Sequence, residues 1–171
     1  MKIMSLDPGG TTGWCQLTFD FEGLATASGE HWLREHIIQG QLGADRGGTE
    51  REHHQTLWTF LLKHRPDIII CEQFKNYGNE FAKLMSREYI GIVKLYASLF
   101  PCRIVWQGSD KKEWADDRKL LLLFLLCTPI TRWRHANDAL RHLVYWLIFA
   151  APREYVPIRD IIFDVLQALS K

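Results

Sequence analysis

The sequence has no apolar run long enough to cross a membrane. Its longest uncharged apolar stretch, residues 120–127, is far short of the roughly 20 residues that a transmembrane helix needs. The chain opens directly on a strand-like run, residues 2–6, without the apolar segment and small-residue cleavage site of a secretion signal. We therefore expect a soluble, cytoplasmic protein with no membrane association.

Cysteine is sparse, and its positions argue against a zinc knuckle or a short disulfide framework. The four cysteines lie far apart without a CxxC pair: Cys15, Cys71, Cys102 and Cys127. We expect reduced thiols that behave as small apolar side chains. Repeats, low-complexity tracts and linkers are also absent, and 171 residues is the length of one domain. A single domain, residues 1–171, is predicted, with a C-terminal amphipathic helix in residues 153–171.

An excess of charge of one sign is absent as well, since the formal net charge is +1. A strongly basic chain would indicate nucleic-acid binding from its composition alone, and this chain does not. The charge is nevertheless unevenly distributed, because basic residues outnumber acidic ones in residues 101–141. This local excess is modest, so a nucleic-acid contact has to be inferred from motifs.

Hydrophobic periodicity predicts a mixed α/β domain. Three strands open the chain, helices then alternate with two further strands, and helices follow to the end. The predicted strands are residues 2–6, 14–19, 23–32, 67–72 and 103–106. The predicted helices are residues 49–64, 79–100, a stretch carrying 120–126 with Ser109 or Asp110 as N-cap, 133–150 and the C-terminal segment. Residues 8–13 are predicted as a tight turn and residues 40–48 as a loop.

Three carboxylates occupy positions that such a fold could bring together. Asp7 ends the first predicted strand, Glu72 ends the fourth, and Asp138 lies in the first turns of a late helix. If the first and fourth strands are neighbours, both strand-end acids emerge at one edge of the sheet, where α/β folds place their ligand sites. A helix packed across that edge could add Asp138 together with His135, because residues three apart face the same way.

Clustered carboxylates repel one another unless a cation lies among them. Oxygen donors suit Mg²⁺ or Mn²⁺, and two such ions can stabilise the attacking and leaving oxygens of a phosphoryl displacement. Each acid also has an ordinary interpretation: Asp7 as a turn former, Glu72 as the end of a buried strand and Asp138 as a solvated helix residue. Taken together, the acids predict metal-dependent phosphodiester hydrolysis.

The segments that carry these acids resemble a known family in their order and spacing. They are the hairpin of residues 3–14, the strand 69–74 with Gln after its final Glu, and residues 135–140, where His is followed three positions later by Asp and then Ala-Leu. All three resemble motifs of RuvC-type Holliday junction resolvases, over residues 2–150. The resemblance implies an α/β ribonuclease-H-like fold, with a mixed five-stranded sheet flanked by helices.

The resemblance also implies the chemistry and the partners. Asp7, Glu72 and Asp138 would be metal ligands, and His135 a fourth ligand or general base. We expect Mg²⁺ as the metal, with Mn²⁺ as a substitute, two ions per active site and no organic cofactor. The implied enzyme is a homodimeric endodeoxyribonuclease of DNA recombination and repair that cuts opposing strands of a four-way DNA junction.

Several residues are predicted to contact DNA by the same resemblance. An aromatic residue after the catalytic Glu enters the junction centre in the family, and Phe74 or Tyr77 could take that role here. The remaining candidates are basic: Lys75, Lys111, Lys112, Arg118, Lys119 and Arg134. Acidic residues are interspersed at positions 113, 116 and 117, so a solvated helix face is the alternative for residues 111–119.

Two other functions stay open at this stage. One is a nuclease of the same fold that cuts flap DNA or RNA–DNA hybrids, and the other is a non-catalytic nucleic-acid-binding protein. The family's Gly-rich basic segment before the last helices is poorly preserved, which fits a diverged member such as a phage protein acting in its host's cytoplasm. The C-terminal helix could cover the core or extend the dimer.

Overall fold

A five-stranded mixed sheet forms the centre of the fold. The computed structural model describes residues 1–24, 29–43, 50–73, 80–123 and 134–168, and the fold is given for these. The strands are β1 (Lys2–Asp7), β2 (Thr11–Thr18), β3 (Ile37–Gly43), β4 (Ile68–Gln73) and β5 (Arg103–Gly108). Their order in the sheet is β3-β2-β1-β4-β5. The first three strands pair antiparallel, whereas β4 pairs in parallel with β1 and β5, as the predicted fold class requires.

Helices cover both faces of the sheet. They are α1 (Phe21–Leu24), α2 (Gly29–His36), α3 (Glu50–His64), α4 (Glu80–Leu99), α5 (Asp117–Leu122), α6 (Arg134–Phe149) and α7 (Val156–Ala168), with 3₁₀ helices at Ser109–Trp114 and Arg153–Tyr155. Alternate residues of β1 point to opposite faces. Ile3 packs in a core with α2, α6 and α7, whereas Met4 and Leu6 pack in a second core with α3 and α4. None of the described helices is long and apolar enough to cross a bilayer.

The predicted strand at residues 23–32 is wrong. The structure has α1 and α2 in this region, and the third strand is β3 instead. Leu33 is fully buried, with Trp32 and His36 partly buried beside it, which is the spacing of a helix face. The β-branched pair Ile37-Ile38 then begins the strand. Residues 40–43, predicted as loop, complete β3, and residues 25–28 and 44–49 lie outside the described part of the chain.

The late helices differ from expectation at their starts. Ser109 and Asp110 begin a 3₁₀ helix, and the N-cap of α5 is Asp116, whose side chain accepts from the Lys119 backbone N–H at 2.9 Å. The predicted helix through residues 120–126 is described only to Leu122 in α5. At the C-terminus, α7 buries its apolar face in the core with α2 and α6, and it therefore covers the core. Whether it also extends a dimer stays a prediction.

Gly13 lies where the backbone of α6 comes directly against the sheet. It belongs to β2, opposite Asp7, rather than to the predicted turn. A Cβ at this position would lie 1.8 Å from the carbonyl oxygen of His135 and 2.1 Å from its carbonyl carbon. The start of α6 is held there by Gln41 of β3, whose Oε1 accepts from the His135 backbone N–H at 3.0 Å. Only glycine leaves room for this approach.

Gly13→Ala is expected to destabilise the protein by about 1–3 kcal/mol or more, because its methyl group would overlap the backbone of His135. Urea unfolding at equilibrium measures the difference. Gly91→Ala in α4 is the matched control, since its Cβ would meet nothing within 4 Å, and a gain of about 0.5–1 kcal/mol is expected from helix propensity. A Gly13→Ala variant as stable as the wild type would contradict this packing of α6.

Candidate active site

Asp7 and Glu72 lie side by side at the carboxyl ends of β1 and β4. These strands pair in parallel with Leu6 opposite Cys71, so the next residue of each strand brings a carboxylate to the same edge of the sheet. Both side chains are buried, with exposed fractions of 5% for Asp7 and 3% for Glu72. The expectation that the first and fourth strands are neighbours is confirmed.

Helix α6 adds Asp138 and His135 to this pair. The helix lies against β1, β2 and β4, and its first turns therefore reach the strand ends. His135 Nδ1 is 2.9 Å from Asp7 Oδ2, and the imidazole is partly exposed. Asp138, one turn further along, is only 6% exposed. The structure thus brings the four candidate residues together, and their catalytic role stays a prediction.

The ammonium group of Lys112 lies among the three carboxylates. Its Nζ is 3.0 Å from Glu72 Oε2, 3.3 Å from Asp138 Oδ2 and 3.8 Å from Asp7 Oδ1. Lys112 belongs to the 3₁₀ helix that follows β5, so its side chain enters the site from a fourth element. Lys112 was expected to contact a DNA phosphate, whereas here its partners are carboxylates within the protein.

Asp138 has a second cationic partner on its own helix. The Arg141 guanidinium pairs with Asp138, three residues earlier in α6, and with Asp117 at the start of α5. Its Nε also donates to the Ala115 carbonyl at 3.1 Å. These contacts fix the guanidinium against the segment between the 3₁₀ helix and α5, and they fix one oxygen of Asp138 with it.

Glu72 has a buried partner of its own. His142 of α6 is fully buried, and its Nε2 is 2.9 Å from Glu72 Oε2. The other ring nitrogen, Nδ1, is 2.8 Å from Oε1 of Gln107 near the end of β5. A chain of side chains therefore links β5 through α6 to the carboxylate of β4.

These contacts shift the pKa values of the site in opposite directions. Burial raises the pKa of Asp7, although the His135 hydrogen bond and the Lys112 charge oppose that shift. Burial acts upward on Glu72 too, but the His142 hydrogen bond and Lys112 outweigh it and lower the pKa to about 2. The Asp7 hydrogen bond raises the pKa of His135. Burial disfavours the charged form of Lys112, but the three carboxylates outweigh it and raise the pKa of the ammonium.

The chemistry of the site fits a hard divalent cation. Three carboxylates from three elements surround one cationic point, and such oxygen donors suit Mg²⁺ or Mn²⁺. The ammonium lies 3.0–3.8 Å from these oxygens, farther than the roughly 2.0–2.1 Å of a magnesium–oxygen bond. Across the described ranges, no three His, Cys, Asp or Glu side chains are grouped closely enough to hold a metal. In this structure the three carboxylates are therefore spaced for the ammonium of Lys112, at longer distances than a bound metal ion would require.

A groove beside the carboxylates is lined by side chains of both charges. It has a volume of about 460 Å³, and both Arg134 and Asp138 line it. Arg134 is exposed at the start of α6, and Arg118 is exposed on α5. The predicted DNA contacts Phe74, Lys75 and Tyr77 lie outside the described residues.

The two remaining lysines of the predicted DNA-binding set have local acidic partners. Lys111 Nζ is 2.9 Å from Asp110 Oδ2, and Lys119 Nζ is 3.3 Å from Asp116 Oδ2. Neighbouring ion pairs of this kind are what a solvated helix face would show. Their contribution to DNA binding stays a prediction, and the alternative interpretation gains support at both positions.

Sequence reasoning missed the residues that hold the carboxylates in place. Arg141, His142 and Gln107 were not singled out, and Lys112 was assigned a different partner. A usable signal was present for His142, because positions 135, 138 and 142 follow the i, i+3, i+7 spacing of one helix face. Gln107 and Lys112 carried no comparable signal, since their places depend on how β5 and the following 3₁₀ helix dock.

The architecture is similar to that of solved Holliday junction resolvases. RuvC of Thermus thermophilus in complex with a Holliday junction substrate matches with a TM-score of 0.59 and 16% identity, covering 85% of this chain and 94% of that chain. A structure described as Thermus thermophilus RuvC matches with a TM-score of 0.57 and 13% identity, over 85% and 95% of the two chains. The Fowlpox virus resolvase with junction DNA matches at a TM-score of 0.43 and 13% identity, over 100% of both chains, and is too distant to argue from.

No family model matches the sequence, and no curated protein matches it either. At identities of 13% and 16%, the likeness to RuvC is one of fold. The central sheet and the helices that cover it agree with the fold that the motifs predicted. The chain has the ribonuclease-H-like fold of the RuvC-type Holliday junction resolvases.

Proposed function

We propose that the protein is a divalent-metal-dependent endonuclease that resolves four-way DNA junctions. One observation carries the proposal: three buried carboxylates from β1, β4 and α6 converge on a single cationic position. Like charges gathered away from water are costly unless a cation lies among them. The similarity of the fold to that of RuvC supports the interpretation of this cluster as a nuclease site.

The chain's own residues divide the work of such a site. Asp7, Glu72 and Asp138 would hold Mg²⁺, or Mn²⁺ in its place, and His135 would be a further ligand or a base beside Asp7. Bound metal ions, two per site in this proposal, would activate a water and stabilise the charge that develops on the phosphate. His135 is suited to accept a proton, because its ring is partly exposed and its Nδ1 is tied to Asp7.

The proposed substrate is branched DNA. Thermus thermophilus RuvC, which shares the fold, has been solved with a Holliday junction substrate. Arg134 lines the groove next to Asp138, where it could bind a phosphate near the scissile bond. We expect the protein to act in the cytoplasm, where such junctions arise in recombination and repair.

A homodimer is proposed because junction resolution needs two sites that cut opposing strands. Leu95 and Leu99 of α4 are 52% and 61% exposed, and large apolar side chains at a helix surface support an interface there. Two copies of the site would then act on one junction, and paired nicks would be their product.

Asp138→Asn is expected to retain junction binding and to lower the cleavage rate by about 100-fold or more, because it removes one charge from the metal-holding set. The assay compares a synthetic four-way junction with linear duplex, flap DNA and RNA–DNA hybrid in Mg²⁺, in Mn²⁺ and in EDTA. Asp160→Asn, on the exposed surface of α7, is the matched control and should cut normally.

Paired symmetric nicks in the junction alone, absent in EDTA, would support the proposal. If flap DNA or RNA–DNA hybrid is cut as fast as the junction, the proposed metal site is retained but the proposed substrate is wrong. A wild-type protein that folds and binds junctions without cutting anything would favour the non-catalytic alternative.

Arg134→Ala should weaken junction binding and reduce the slope of log affinity against log salt by about 1, because one phosphate contact is lost with its released counterion. Binding titrations between low and moderate salt measure both effects. Arg153→Ala is the control, since Arg153 is exposed in the 3₁₀ helix before α7 and does not line the groove. Equal slopes for the two variants would exclude Arg134 from the DNA interface.

Lys112→Met should lower the thermal midpoint in EDTA and strengthen Mn²⁺ binding, because the carboxylates lose the ammonium that neutralises them. Melting curves with and without Mn²⁺, together with calorimetric titration, measure both changes. Lys111→Met is a matched neighbour whose ammonium faces Asp110 on the surface, and it should change neither. If Mn²⁺ binds no more tightly to Lys112→Met than to the wild type, lysine and metal do not compete.

A further inference from the structure

His142 occupies a position from which it can act only on Glu72. The side chain is fully buried on α6, one turn beyond Asp138. Its two ring nitrogens face Gln107 Oε1 at 2.8 Å and Glu72 Oε2 at 2.9 Å. Because no part of the ring reaches solvent, His142 cannot touch a substrate, and any role in the reaction passes through the carboxylate.

The hydrogen on His142 Nε2 is determined by its partner. An ionised carboxylate only accepts hydrogen bonds, so Nε2 must donate to Glu72. Gln107 can satisfy the other nitrogen through either end of its amide. When Gln107 Oε1 faces His142 Nδ1, the amide nitrogen Nε2 of Gln107 is buried without a hydrogen-bond partner among the described residues. If the O and N of the Gln107 amide are exchanged, the amide nitrogen donates to His142 Nδ1. The neutral His142 ring then accepts at Nδ1 and donates at Nε2 to Glu72.

Two donors share the same oxygen of Glu72. Lys112 Nζ lies 3.0 Å from Oε2 and His142 Nε2 lies 2.9 Å from it. The Lys112 side chain is partly exposed, whereas His142 is fully buried and also contacts Gln107. A cation that displaced the ammonium would therefore leave His142 as the partner that holds Oε2.

We infer that His142 is a positioning residue that orients the Glu72 carboxylate toward the cation position, with Gln107 orienting His142 in turn. The inference rests on the proposed function, because it assumes that the site binds a metal ion. The contact between His142 and Glu72 is present in the metal-free protein. Hydrogen-bond partners of metal-binding carboxylates fix ligand geometry, and their loss commonly lowers metal affinity by about 10–100-fold. An apolar residue would fill the same volume and leave Oε2 without this donor.

The test compares two substitutions that differ in their hydrogen-bonding ability. His142→Gln can present an amide N–H near the position of Nε2, whereas His142→Leu cannot. Mn²⁺ titration followed by electron paramagnetic resonance should give an affinity within a few-fold of wild type for His142→Gln. For His142→Leu it should fall by about 10–100-fold. Equal losses in two folded variants, or no loss in His142→Leu, would overturn the inference.

A second measurement holds even if His142→Leu fails to fold. Nitrogen-15 NMR of the metal-free wild type reports which ring nitrogens of His142 carry hydrogen, and Nε2 should carry one. A ring protonated only at Nδ1 would overturn the inference, because Glu72 would then have no donor from His142. A wild type that shows the expected ring but binds no Mn²⁺ would refute the proposed metal function and leave the Glu72 contact standing.

Discussion

The pairing of Lys112 with three buried carboxylates is the interaction on which the site depends. Asp7, Glu72 and Asp138 come from two strands and a helix, and the ammonium that lies between them is the one cationic group among the described residues in contact with all three. The site can therefore form only together with the tertiary structure. A divalent cation at the same point, as proposed above, would meet the same electrostatic requirement with a higher charge.

The closeness of α6 to the sheet determines which side chains reach that point. Gly13 has no side chain, so the backbone at His135 can lie directly on β2. Gln41 then accepts from the His135 backbone N–H. A helix placed one side chain farther out would carry Asp138 away from the strand ends. A glycine near the start of the chain thus controls the placement of an acid and a histidine contributed near its end.

The parts of the fold that could be predicted are those that depend on local patterns. Asp7 and Glu72 could be found because each ends a buried apolar strand, and a parallel pairing of those strands puts them together. The third strand was misplaced because Trp32 was assigned to a strand, whereas Trp32, Leu33 and His36 have the spacing of a helix face, and the true strand begins at Ile37. The position of Lys112 could not be predicted, since no local pattern fixes how a 3₁₀ helix docks against three acids.

The oxygens of the two aspartates are divided between partners on α6 and the shared lysine. In Asp7, Oδ2 contacts His135 and Oδ1 faces the ammonium of Lys112. In Asp138, Oδ1 accepts from Arg141 and Oδ2 accepts from Lys112. His135 and Arg141 come from α6, whereas the shared lysine comes from a short 3₁₀ helix. Withdrawal of Lys112 would expose one oxygen of each aspartate without releasing the other, so a cation could replace the ammonium while both carboxylates keep their orientation.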